Sequence, residues 1–319
     1  MFKVALIGEF QQVGKDLLEK NNINYFETLD YDIESLKLKL SDCDAIGVRT
    51  AKIPSEVLSH CSKLKIIARH GVGYDSVDID YLNKHRIPLA ITGKSNAVAV
   101  AEHVIALFLS LARRIIDSHF IVKNAEFSKK TLLDNTVELF NKKVLIIGFG
   151  RIGKEVAKRL SAFECEIFVC DPFLEKKGID IKPYKFVDLQ TGLKFSNFIT
   201  IHIPLTKETK NFISKKELSL MKEDTILVNT SRGGIINQED LCLALEQKKL
   251  LGAGLDVFTN EPPEGNDIIL SAKNIVFTPH NAALTLECRK RMAIETIENI
   301  LDHLQNNTNI ENIVNKDIL

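Results

Sequence analysis

The feature that most restricts the fold is a set of short apolar runs separated by helix-length segments. "KVALIG", "DAIGV", "LKIIA" and "PLAIT" precede Asn96, and "KKVLIIG", "EIFVC", "FITIHI", "TILVN", "AGLDV" and "NIVFT" follow it. Runs this short and this rich in β-branched residues read as strands buried on both faces. Strands that alternate with helices imply parallel sheets covered by helices on both sides. Two such series predict an α/β chain with two doubly wound parallel-sheet domains.

Between the series lies "NAVAVAEHVIALFLSLARRIIDSHFIVKN", beginning at Asn96. It is apolar nearly all round and has no internal Gly or Pro, which predicts one buried helix, a natural hinge and subunit-contact element. "LTLECRKRMAIETIENILDHLQNN" has helical periodicity and would return the chain to the first domain. The expected division is therefore 1–97 plus 286–319 for one domain, with 98–285 inserted as the other.

At 319 residues the chain is long enough for two cores. Its 42 basic and 42 acidic residues cancel, so no net field recruits nucleic acid or an anionic membrane. The apolar runs fall far short of the ~20 residues of a membrane span. Met1-Phe2-Lys3 leads straight into the strand-like Val4-Ala5-Leu6-Ile7, which leaves no room for a signal peptide, so a cytoplasmic protein is expected. The six cysteines form no Cys-x-x-Cys pair and no grouping with histidines. Reduced, buried thiols and no metal site are expected.

"VLIIGFGRIGKEVAKRL" sets Gly148, Gly150 and Gly153 after a strand and at the opening of a helix. The first glycine permits a tight turn, the second lets backbone approach a pyrophosphate, and the third lets helix pack on sheet. The helix start at Arg151 and Ile152 offers free N–H groups and partial positive charge to phosphates. "EIFVCDP" then ends a second strand at Asp171, 18 residues beyond Gly153. A carboxylate there accepts hydrogen bonds from both ribose hydroxyls and repels a 2′-phosphate, which favours NAD over NADP. By contrast "GEFQQVGKD" from Gly8 is no P-loop, because its glycines are too widely spaced and Asp16 stands where Ser or Thr must hold magnesium.

Three more strand ends carry reactive side chains. "TILVNTSRGG" delivers Arg232, "GAGLDVFTNEPP" delivers Asp256 and Glu261, and "NIVFTPHNAA" delivers His280. Ligands of open α/β sheets bind at the carboxyl ends of strands, so these residues can meet there despite their separation. Glu261 beside His280 would favour the imidazolium and keep a proton available, while Arg232 would hold a carboxylate and its neighbouring carbonyl. Hydride transfer between a nicotinamide and a 2-oxo or 2-hydroxy acid follows, with His280 as acid or base.

From about Ala45 to His280 the chain resembles the D-isomer-specific 2-hydroxyacid dehydrogenases. The likeness runs through "RHGVGYDSVDID", "NAVAVAEHV", "GFGRIGKEV", "HIPLT", "VNTSRGGIIN", "GLDVFTNEPP" and "TPHNAA". The resemblance implies a flavodoxin-like substrate domain and an inserted Rossmann domain that binds NAD. It implies Arg232, Glu261 and His280 as the catalytic trio, and Asp256 near the nicotinamide carboxamide. His202, Pro204 and Thr230 would line the cofactor, and the backbone amides of Val72 and Gly73 would bind the substrate carboxylate. A homodimer built around the long inter-domain helix is also implied. Asn197 departs from a frequent aspartate, and Asn281-Ala282-Ala283 departs from other small residues; neither change removes a catalytic group. The chain stops soon after the return helix, so the regulatory domains of some phosphoglycerate dehydrogenases are expected to be absent.

For the substrate, Arg49 and Arg69 match arginines near its far end in phosphoglycerate dehydrogenases. Two guanidiniums suit a distal phosphate or sulfonate. The leading expectation is 3-phosphoglycerate, with sulfolactate, glycerate/hydroxypyruvate and glyoxylate as alternatives. Lys129 and Lys130 could add charge from a partner subunit, although solvated surface cations are the plainer reading. Two rivals are an NAD-sensing corepressor-like binding protein and a formate-type dehydrogenase, the latter expected to carry Gln in place of Glu261.

Overall fold

The computed structural model describes residues 2–133 and 135–319. The chain divides into two compact units, one from the chain up to Asn96 together with Leu284–Leu319, the other Ala97–Ala283. Among the described residues, no helix is long and apolar enough to cross a membrane.

The first unit holds a parallel sheet of β1 (Lys3–Ile7), β2 (Asn24–Thr28), β3 (Ala45–Val48), β4 (Ile66–Arg69) and β5 (Leu89–Ile91), in the order β2-β1-β3-β4-β5. That is the flavodoxin-like doubly wound order. Because strand side chains alternate, β1 sends Val4 and Leu6 to one core and Ala5 and Ile7 to the other. Both faces are buried, which explains the unbroken apolar run. Helix Leu286–Leu304 covers the Val4/Leu6 face with Ala293, Ile297 and Ile300. Thr285 caps its start by accepting the Cys288 N–H at 3.1 Å. β2 was absent from the expected strands, because "NYFET" is an edge segment whose polar Asn24 and Glu27 are exposed.

The second unit continues with β6 (Lys143–Ile147), β7 (Glu166–Cys170), β8 (Lys185–Phe186), β9 (Phe198–Ile201), β10 (Ile226–Asn229), β11 (Gly252–Leu255) and β12 (Ile275–Phe277). The order is β12-β11-β10-β9-β6-β7-β8, all parallel. It is the Rossmann arrangement, with a switch point between β6 and β9. Leu145 and Ile147 of β6 face one core, Val144 and Ile146 the other.

The expected single helix from Asn96 is corrected to two. Helix Ala97–Ala112 packs Ala101, Val104 and Phe108 against the Val144/Ile146 face, with Phe108 edge-on to Phe198. It then stops. The Ala112 carbonyl accepts the Val137 N–H at 2.8 Å, and Arg114 turns left-handed at φ +49°. Helix Ile115–Lys123 follows and buries none of its residues. Apolarity all round therefore marked a sheet-packed helix for the first stretch only. In the second stretch Ile115, Ile116, Phe120 and Val122 are exposed by 54%, 42%, 51% and 61%.

Candidate active site

The glycine turn after β6 contains one residue whose identity the chain itself does not require. A Cβ on Gly148 (φ +87°) would lie 2.6 Å from the His202 carbonyl oxygen, and one on Gly153 would lie 2.4 Å from that of Gly148. A Cβ on Gly150 would meet nothing within 4 Å. Nothing in the fold requires glycine at this position, which leaves open space over the turn. Gly150 also sits at the N-cap of helix Arg151–Ser161 with no side chain capping it. The first-turn N–H groups face outward from the positive end of the helix dipole.

Asp171 follows β7 and braces this turn. Its Oδ2 accepts the Phe149 N–H at 2.9 Å and its Oδ1 accepts the Leu174 N–H at 3.1 Å. Each oxygen keeps a further lone pair for a hydroxyl. Along the same sheet edge, His202 Nε2 lies 3.0 Å from Thr200 Oγ1, while its buried Nδ1 has no partner. Burial pushes this imidazole down to about 3, so it is neutral at neutral pH. Thr230 Oγ1, past β10, is likewise buried and unpartnered. Pro204 follows β9 in an exposed loop, its carbonyl accepting from Thr209 Oγ1 at 2.7 Å.

Past β10 the turn bearing Arg232 is built by Asn229, 2% exposed. Its Oδ1 accepts from Ser231 N and Oγ, and its Nδ2 donates to the Arg232 carbonyl at 2.9 Å. Gly233 is required here, since a Cβ would lie 1.7 Å from the Phe258 carbonyl oxygen. That close approach sets the turn against the segment carrying Glu261. The Glu261 carboxylate is held at both oxygens: Oε1 accepts the Phe258 N–H at 3.0 Å, and Oε2 lies 2.6 Å from His280 Nδ1. Burial acts to raise the Glu261 carboxyl, but the bonds from His280 and Phe258, with the charges of His280 and Arg232, hold it below the usual glutamate range. His280 itself sits at φ +51° with its N–H on the Thr278 carbonyl. Asp256, 1% exposed, accepts from Thr278 Oγ1 and from the N–H groups of Asn281 and Ala282.

In the first unit, Arg49 follows β3 and donates to the Glu9 carbonyl at 3.0 Å. Arg69 ends β4 and donates to the carbonyls of Val48 and His70. His70 is buried, and burial together with the charges of Arg49 and Arg69 pushes it down to about 3. Among the described residues, the N–H groups of Val72 and Gly73 find no acceptor.

Residues 105–282 match the family described as "D-isomer specific 2-hydroxyacid dehydrogenase, NAD binding domain". A hydroxypyruvate reductase of Thermotoga maritima is 39% identical over 281 residues, covering 87% of this chain and 90% of that protein. The chain belongs to the D-isomer-specific 2-hydroxyacid dehydrogenases. A D-3-phosphoglycerate dehydrogenase of Archaeoglobus fulgidus is 35% identical over 94% of this dehydrogenase, which spans only 57% of that protein's length. The crystal structure of a D-lactate dehydrogenase from Aquifex aeolicus, complexed with NAD and lactic acid, superposes with a TM-score of 0.84 at 27% identity, covering 98% of each chain.

This dehydrogenase takes NAD, and its own residues fit that group. Gly150 leaves room over an uncapped helix start, Asp171 follows the neighbouring strand, and among the described residues two buried polar atoms on the same edge have no protein partner. Sequence reasoning missed Asn229 and His70. The signal for Asn229 was an asparagine closing a strand just before a turn, where its side chain bonds its own backbone two residues on. Asn197 lies at the opposite, amino end of the sheet, where it accepts from Lys143 N and donates to Asp224. Lys129 pairs with Glu126 at 2.5 Å on an exposed segment.

Proposed function

We propose that this dehydrogenase interconverts a 2-oxo acid and a 2-hydroxy acid, with Arg232, Glu261 and His280 as its reacting groups. The observation that carries the reading is the 2.6 Å contact between His280 Nδ1 and Glu261 Oε2 at the carboxyl end of the NAD-binding sheet. With Nδ1 held there, Nε2 is the nitrogen left to exchange a proton with the substrate oxygen. Bound NADH supplies the hydride. The carbonyl carbon receives it while His280 protonates the oxygen, and the reverse reaction returns both. Arg232 holds the carboxylate and polarises the carbonyl. Gly150, the N–H groups of Arg151 and Ile152, Asp171, His202, Pro204 and Thr230 are assigned to the cofactor. The N–H groups of Val72 and Gly73 are assigned to the substrate carboxylate.

Arg49 and Arg69 favour a substrate whose far end is anionic, with 3-phosphoglycerate first. The Thermotoga maritima relative, matched over 90% of its length, favours a second reading, hydroxypyruvate. A panel of 2-oxo acids assayed with NADH separates them. The highest kcat/KM is expected on 3-phosphohydroxypyruvate, and a preference for hydroxypyruvate or glyoxylate selects the second reading.

NAD should be preferred over NADP, and Asp171→Asn should narrow that preference by about tenfold by removing the charge that repels a 2′-phosphate. Asn keeps a single acceptor oxygen, so it can accept from Phe149 N or from Leu174 N but not from both, and the turn should loosen as well. A higher kcat/KM with NADP than with NAD in the wild type overturns the ribose assignment.

The exposed apolar residues of helix Ile115–Lys123 support a homodimer, because large apolar side chains gathered on one short helix are usually covered. Phe120→Asp with Val122→Asp should convert a dimer into a monomer in sedimentation equilibrium. A wild-type chain that sediments as a monomer removes this proposal.

A further inference from the structure

We propose that His103, on helix Ala97–Ala112, is a positioning residue for His280, acting through Thr278 and Asp256; the proposal rests on the reading of His280 as the acid-base group. His280 lies in a turn anchored on both sides of it by one carboxylate. Thr278 Oγ1 donates to Asp256 Oδ1 at 2.6 Å, and the N–H groups of Asn281 and Ala282 donate to the same carboxylate at 2.9 Å and 3.1 Å. Between these anchors His280 adopts φ +51°, a conformation that an L residue keeps only where its surroundings over-determine it.

The third anchor comes from outside the turn. His103 Nε2 lies 2.9 Å from Thr278 Oγ1 and 3.7 Å from Asp256 Oδ1. A hydroxyl has one proton. Thr278 gives it to Asp256, so its remaining role toward His103 is that of acceptor, and His103 must carry its proton on Nε2. The chain runs in one direction, from His103 Nε2–H to the Thr278 hydroxyl to the Asp256 carboxylate. Burial opposes a charge on His103 more than Asp256 favours one, so the imidazole is held below its ordinary value, consistent with a neutral donor. The helix that carries it is packed on the sheet by Val104 and Phe108. The turn is thereby referred to a rigid element rather than to the loops around it.

The test is a double-mutant cycle on the full-length enzyme, with kcat for oxo-acid reduction at saturating NADH and the Kd for NADH from its fluorescence. His103→Leu and Thr278→Val should each lower kcat by about 10–100-fold, the scale of misplacing a reacting group. The Kd for NADH should change far less than kcat, because both variants leave Asp171 and the turn carrying Gly148 and Gly153 untouched. The pair His103→Leu/Thr278→Val should be no slower than the slower single variant, as expected for members of one chain. His103→Gln keeps an N–H donor and should recover most of the activity, as should Thr278→Ser. Those two conservative variants carry the test if His103→Leu does not fold. Multiplying losses in the double variant, full activity in His103→Leu, or equal loss in His103→Gln and His103→Leu each overturn the proposal. If His280→Ala retains wild-type turnover, the assignment of His280 itself is what fails.

Discussion

His280→Ala should lower kcat by roughly 10²–10⁴-fold through loss of the group that moves a proton to and from the substrate oxygen. The Kd for NADH should be nearly unchanged. Arg232→Ala should lower kcat and raise KM for the oxo acid together, since its guanidinium is assigned to both the ground-state carboxylate and the developing oxyanion. The partner of His280 is tested by pH. The Glu261 carboxyl is held below the usual glutamate range in part by His280. A depressed carboxyl stabilises the paired form above its unfolded value, and the pairing is lost as pH falls through the lower folded value. At 2.6 Å the carboxylate anchors His280 Nδ1 and leaves Nε2 for the substrate oxygen. Glu261→Gln removes the carboxylate that anchors His280 Nδ1 and should change the pH profile for oxo-acid reduction. An unchanged profile in that variant sinks the Glu261–His280 pairing as a functional contact.

Arg49→Ala should weaken a phosphorylated or sulfonated oxo acid by about 10–150-fold, the equivalent of one charge-assisted contact of roughly 1.5–3 kcal/mol. The same change should cost hydroxypyruvate much less. Arg49 follows β3, and its guanidinium donates to the Glu9 carbonyl. Arg69 is tied more closely to the fold, donating to two carbonyls at the end of β4. Arg69→Ala should therefore lower the melting temperature as well as the phosphorylated-substrate kcat/KM, whereas Arg49→Ala should affect chiefly the latter. Equal loss on both oxo acids in Arg49→Ala would assign the residue to the fold or the shared carboxylate.

Much of the cradle was legible because its constraints are local. A glycine turn joining strand to helix, and a carboxylate closing the next strand, are set by residues close in sequence. Gly150 was read as a point of ligand approach, and the open space beside it bears on that role directly. The extent of the Asn96 helix was not legible, because hydrophobicity records that a residue can be buried and not whether a surface remains to bury it. Ile116 and Val104 are both apolar, yet Val104 is buried in the core shared with Val144 and Ile146, and Ile116 is 42% exposed. β2 failed for the converse reason. An edge strand forms through backbone pairing with β1 and needs little apolar content.

The sequence by itself determined two doubly wound parallel sheets and the glycine turn after β6, and it pointed to the side chains proposed to react, because strand length, helical periodicity and glycine spacing act over a few residues. Only the tertiary structure decided how those side chains are held. Asn229 is 2% exposed and folds back on the Arg232 turn, the Gly233 turn presses on the Phe258 carbonyl, and Asp256 gathers Thr278, Asn281 and Ala282 around His280. His103 reaches Thr278 across 175 positions of sequence. Such contacts arise where strand ends converge at one edge of the sheet, and no local pattern records which distant donor will meet a buried acceptor there.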